Sequence, residues 1–65
     1  MFIAGTFQSV LARLPGGLQF VRSAPHGFNW QLYYSPSRRL YYKLTPVRGG
    51  VEVVSGHTVQ ACCGS

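Results

Sequence analysis

"WQLYYSPSRRLYYKL" (residues 30–44) sets two Tyr-Tyr pairs on either side of a polar break that carries two arginines. On both flanks apolar and polar side chains alternate, the period of a half-buried β-strand. Over 28–35, Phe28, Trp30, Leu32 and Tyr34 fall on one side and Asn29, Gln31 and Tyr33 on the other. Over 40–45, Leu40, Tyr42 and Leu44 oppose Tyr41, Lys43 and Thr45. The break SPSRR (35–39) holds proline and serine, which favour turns. The two strands are therefore expected to form an antiparallel hairpin.

Pairing apolar with apolar sets the expected register. Tyr34 opposes Leu40, Leu32 opposes Tyr42 and Trp30 opposes Leu44. Tyr33 then faces Tyr41, and Gln31 faces Lys43, on the other side of the sheet. A slip of one residue would mix apolar and polar partners on both faces. This register requires an odd loop of three or five residues containing Pro36 and Ser37.

The same parity yields a candidate binding surface. Tyr33 and Tyr41 look outward beside Lys43, Gln31 and Asn29, with Arg38 and Arg39 at the hairpin tip. Aromatic rings flanked by cations on an open sheet face suit single-stranded nucleic acid. Bases stack on such rings for about 1–3 kcal/mol each, and phosphates pair with Arg and Lys. Two other readings use the same residues. A cross-strand tyrosine pair stabilises a hairpin by roughly 0.2–1 kcal/mol with no ligand at all. Surface tyrosines also anchor protein interfaces.

Outward from the hairpin the elements are shorter. In TFQSVLARLPGG (6–17), Phe7, Val10, Leu11 and Leu14 fall at i, i+3, i+4 and i+7, one face of a helix. Thr6 can cap its start, and Pro15 with Gly16-Gly17 would end it. Its polar face of Gln8, Ser9 and Arg13 is too weakly cationic for a membrane-surface helix, so the apolar face is read as core-facing. Met1 to Ala4 and LQFVRS (18–23) read as strands. VRGGVEVV (47–54) reads as two strand segments around a Gly49-Gly50 turn, with Arg48 and Glu52 flanking it. Pro46 lacks an N–H and belongs at an edge or bulge. TVQACC (58–63) is expected to add a last strand.

The expected fold class is α+β. One short N-terminal helix packs on a curved antiparallel sheet of four or five strands, over the face carrying Trp30, Leu32, Tyr42 and Leu44. The alternative is a small all-β barrel of the SH3 or OB kind. The 65 residues leave room for one domain, 1–65, and a hydrophobic content of 46% argues for a folded core.

Charge limits the chemistry. Arg13, Arg22, Arg38, Arg39, Lys43 and Arg48 stand against a single acid, Glu52, for a net charge of +5. The imbalance suits an acidic partner: nucleic acid, an anionic membrane face or an acidic protein surface, among which charge alone does not choose. Nucleic acid or an acidic protein surface is the expectation, without a membrane. One carboxylate cannot supply a glycosidase pair, and it is too few for the usual magnesium-holding acids of phosphoryl transfer. No enzymatic activity is expected. Neither glycine pair has the spacing of a phosphate loop. His26 and His57 lie in turn-like segments without a neighbouring acid and read as turn residues. Cys62 and Cys63 are adjacent, which strains any bridge between them. His26, His57, Cys62 and Cys63 lack the cysteine spacing of a zinc site, so no metal or cofactor is expected.

The apolar start has no basic leading region, is interrupted by Arg13 and falls short of the roughly 20 apolar residues of a membrane span. Residues 1–24 share the acid-free, Arg-containing character of a mitochondrial presequence, but its removal would leave about 40 residues, barely enough to fold. A reduced, cytoplasmic chain is the expectation. The expected function is that of a non-catalytic basic protein that docks a nucleic-acid strand or another acidic partner. The alternative is an inhibitor or adaptor, of the kind used by phage and mobile elements, that blocks a host protein by direct contact. A homodimer through edge strands or through the tyrosine face is compatible with the same pattern.

Overall fold

Thr6 starts the first helix as its hydroxyl accepts the Ser9 N–H at 3.1 Å, while the Ser9 hydroxyl returns a bond to the Thr6 carbonyl at 2.9 Å. In this computed structural model, which describes residues 1–63 and only the backbone at Cys63, seven elements follow one another. They are β1 (Phe2–Ala4), α1 (Phe7–Arg13), β2 (Gln19–Ser23), β3 (Gln31–Ser35), β4 (Leu40–Val47), β5 (Gly50–Gly56) and α2 (Val59–Cys63). The strands form one antiparallel sheet in the order β1-β5-β4-β3-β2, with β1 and β2 at its edges. A five-stranded antiparallel sheet with two short helices thus agrees with the expected class.

The apolar face of α1 lies where its spacing put it. Val10 is fully buried in one cluster with Tyr42, Leu44, Val51 and Val53, and Phe7, Leu11 and Leu14 pack around that cluster. A helix of seven residues is marginal in water, so this burial holds it.

The β3–β4 hairpin forms, but one residue away from the expected register. Ser35 opposes Leu40, Tyr34 opposes Tyr41, Tyr33 opposes Tyr42, Leu32 opposes Lys43 and Gln31 opposes Leu44. The loop is residues 36–39, an even count, not three or five. Ser35 governs it. Its carbonyl accepts the Arg39 N–H at 2.7 Å, and its hydroxyl accepts the Arg38 N–H at 3.3 Å. Arg39 closes the turn with φ at 56°, in the left-handed region. The apolar-pairing rule failed because both faces of this sheet bury apolar groups: Leu32 and Leu44 are each 0% exposed on opposite sides. Strand pairing also begins at Gln31, so residues 28–30 lead into β3 without belonging to it.

Two more expectations are corrected. The β4–β5 turn consists of Arg48 and Gly49, since Val47 opposes Gly50, and Gly49 supplies the positive φ of 81°. Gly50 belongs to β5, where a Cβ would collide with the Ile3 carbonyl and sit 2.7 Å from the Phe2 ring. Residues 58–63 form no strand. Thr58 Oγ1 accepts the Ala61 N–H at 3.1 Å and caps α2, whose Cys62 thiol reaches the Tyr41 carbonyl at 3.2 Å. Gly56 makes room for this helix, because a Cβ there would lie 2.6 Å from the Cβ of Ala61.

Pro46 sits within β4, beyond Leu44, the last β4 residue that β3 pairs with. Its carbonyl accepts the Asn29 side-chain amide at 3.0 Å, so it points to the side where β3 has ended. The missing N–H points the same way, and no ladder bond is lost.

These contacts predict an order of destabilisation in urea unfolding. Gly50→Ala should cost about 1–3 kcal/mol by overpacking against backbone, and Thr6→Ala about 1 kcal/mol through the lost cap. Gly16→Ala, with open space around it, should stay within about 0.5 kcal/mol of the parent. A neutral Gly50→Ala would contradict the β1–β5 approach.

Candidate functional site

Residues directly opposite one another in an antiparallel pair share a face. The register therefore divides the tyrosines. Tyr33, Ser35, Leu40, Tyr42, Leu44, Val51 and Val53 lie on the face toward α1. Leu32, Tyr34, Tyr41, Lys43 and Val54 lie on the far face.

The patch expected from the sequence does not assemble on one surface. Tyr33 and Gln31 share the α1 face, where the Tyr33 hydroxyl donates to Gln31 Oε1 at 2.9 Å. Tyr33 packs against the core cluster and meets Phe20 edge-on, with ring centroids 5.6 Å apart. Tyr41 and Lys43 lie on the opposite side. Asn29 precedes β3 and is engaged with Pro46. Arg38 and Arg39 do sit at the exposed tip. The cause is the four-residue loop, which reverses the parity of β3 relative to β4.

A different aromatic and cationic group forms on the far face. Tyr34 and Tyr41 lie side by side with centroids 4.7 Å apart. In the next row Lys43 opposes Leu32, and Arg22 of β2 opposes Leu32 from the other side. Arg22 reaches this face through a bulge. Phe20 pairs with Tyr33 and Arg22 with Leu32, which leaves Val21 as the extra residue. The Arg22 guanidinium stands 5.8 Å from the centre of the Trp30 ring, a cation–π contact. Leu32 is 0% exposed although it faces away from the α1 cluster. Its neighbours on this side are Arg22, Trp30, Tyr34 and Lys43, whose long stems and rings are suited to covering it while their polar ends stay wet. The short α2 closes only the end near Gly56 and Tyr41.

The electrostatics are one-sided. Among the described residues the one ion pair joins Glu52 to the Met1 ammonium at 3.3 Å. Glu52 thus meets the chain start, not Arg48. Arg22, Arg38, Arg39 and Lys43 have no carboxylate partner among the described residues. No three His, Cys, Asp or Glu side chains come together among the described residues. The side chain of Cys63, one of the four residues weighed for zinc, lies outside them. His26 and His57 are exposed.

Sequence reasoning missed Tyr34, Trp30 and Arg22. The apolar-pairing register places Tyr34 and Trp30 inside, and nothing in LQFVRS marks Val21 as a bulge. Compared with known proteins, the chain matches no family model, and no significant match occurs among curated proteins or solved structures. No helix among the described residues is long and apolar enough to cross a membrane.

The division of the tyrosines is open to a direct check by NMR. Cross-strand proton contacts should link Tyr33 with Tyr42 and Tyr34 with Tyr41. Contacts pairing Tyr33 with Tyr41 would restore the other register and dismantle this face.

Proposed function

We propose that the protein is a non-catalytic, basic binding protein that docks a nucleic-acid strand on the far face of its sheet. Tyr34 and Tyr41 offer stacking surface, and Lys43, Arg38 and Arg39 take phosphates. The supporting observation is the Tyr34–Tyr41 ring pair at 4.7 Å, with Lys43 on the same face and two arginines at the adjoining tip. Rings already held by packing lose little freedom when a base stacks on them, so more of the stacking energy remains for binding. Unpaired cations release counterions when they meet phosphates, which adds a salt-dependent term. Asn29, Gln31 and Tyr33, turned elsewhere, drop out of the site. A cytoplasmic setting accompanies this reading.

A second reading has its own support. The edge strand β2 is exposed along its whole length, with Phe20 at 56% and Val21 at 42%. An exposed apolar edge is what a protein partner uses for strand addition. On this view the chain is an inhibitor or adaptor, and nucleic acid plays no part.

Fluorescence anisotropy with a labelled single-stranded oligonucleotide at several salt concentrations separates the two. Affinity should fall steeply with salt for the first reading. The double variant Arg38→Ala, Arg39→Gly should flatten the log–log slope by about 0.7 for each phosphate that is no longer neutralised. Glycine is well suited to the left-handed conformation at position 39, so the turn should survive. Absence of binding at low salt removes the nucleic-acid reading.

A further inference from the structure

We infer that Arg22 and Trp30 form a nucleotide subsite at the β2 side of the far face, taking one unpaired base and its phosphate from a single-stranded nucleic acid. The inference rests on the nucleic-acid reading above and extends the docking track beyond the β3–β4 hairpin.

Three features converge on this pair. The first is the bulge. Phe20 lies with Tyr33 on the α1 face, and a regular strand would put residue 22 there too. The extra residue Val21 turns Arg22 over to the far face instead. The second is the contact itself. The guanidinium stands 5.8 Å from the centre of the partly buried indole, so the exposed Arg22 and the Trp30 ring lie side by side on this face. An arginine has five N–H donors. No carboxylate among the described residues takes them by ion pairing. The third is position. Trp30 precedes Tyr34 by four residues, roughly 13 Å of extended chain at about 3.3 Å per residue. Lys43, opposite Leu32, lies between them. Cations and rings therefore alternate from the tip arginines past Tyr34 and Tyr41, over Lys43, to Arg22 and Trp30.

The chemistry of this pair suits a nucleotide. A phosphate takes two donors from a guanidinium in the fork geometry that arginine prefers. A base stacks on an indole or on a guanidinium plane.

Trp30 is the only tryptophan in the chain, so all tryptophan emission arises at this subsite. The unmodified protein would be titrated at low salt with a labelled deoxythymidine oligonucleotide of about 12 residues, within the 4–16 nucleotides that small single-strand binders occupy. Label anisotropy and tryptophan emission would be followed together, with inorganic polyphosphate as a base-free polyanion in parallel. Binding with quenching of Trp30, and no quenching by polyphosphate, is the expected result. Trp30→Leu should weaken oligonucleotide affinity by about 5- to 150-fold, with Trp30→Phe retaining part of it. Arg22→Gln should flatten the salt slope by about 0.7. Binding that leaves Trp30 emission unchanged overturns the subsite and leaves the hairpin face standing. Equal quenching by polyphosphate overturns recognition of the base. No binding at low salt overturns the nucleic-acid reading and the subsite with it. Should Trp30→Leu fail to fold, the titration of the unmodified protein still decides.

Discussion

Ser35 is a fully buried serine at the point where β3 turns toward β4. Its carbonyl accepts the Arg39 N–H, and its hydroxyl accepts the Arg38 N–H and lies 3.4 Å from the Ser37 hydroxyl. A buried hydroxyl left without partners would cost about 1–3 kcal/mol, so the shape of the loop is tied to this residue. The loop it organises has an even number of residues and sets Ser35 against Leu40. Every pair further along the hairpin follows from that one. Because side chains alternate with a period of two, a slip by one residue would exchange the faces of an entire strand. Whether a given tyrosine meets the α1 core or the far side is settled at this turn.

The two faces then solve different problems. Toward α1, Tyr42, Leu44, Val51 and Val53 bury against Val10 in an ordinary apolar core. On the other side the five-residue α2 is too short to cover the sheet. Leu32 is nonetheless fully buried there. In so small a domain, which buries only about 60% of its unfolded surface, a second core layer must come from side chains that are apolar at the base and polar at the tip. Trp30, Tyr34, Arg22 and Lys43 are of that kind. The side chains that close the far face are therefore the same ones that present rings and cations on it. A substitution such as Tyr34→Ala would therefore change the packing over Leu32 and the surface presented there together.

The features legible in the sequence were those set by short-range spacing. Phe7, Val10, Leu11 and Leu14 marked the helix face, Thr6 its cap, and the alternation on either side of SPSRR the hairpin. The register was not legible, because the rule that matches apolar with apolar assumes a single buried face. Leu32 and Tyr42 are both apolar and both buried, yet on opposite sides. The choice between Gly49 and Gly50 as the turn glycine was equally hidden. Either tolerates positive φ, and the ring of Phe2, almost fifty residues away along the chain, requires glycine at 50. The candidate site inherited the register error. Tyr41, Lys43, Arg38 and Arg39 kept a place in it, while Tyr33 and Gln31 turned to the other face.

Charge gives the far face its direction. A net charge of +5 on 65 residues opposes compaction by self-repulsion, and the one acidic side chain, Glu52, pairs with the Met1 ammonium. Pairing each arginine with an acid within the chain would have relieved that strain, but it would also have occupied the donors. Instead the Arg22 guanidinium lies 5.8 Å from the Trp30 ring, a contact that brings no opposing charge. A phosphate bound there would meet a guanidinium with no carboxylate beside it among the described residues. An acidic ligand that binds the folded chain alone would shift the folding equilibrium toward it by mass action. The unbalanced charge that weakens the free protein is thus the same quantity that would favour its complex.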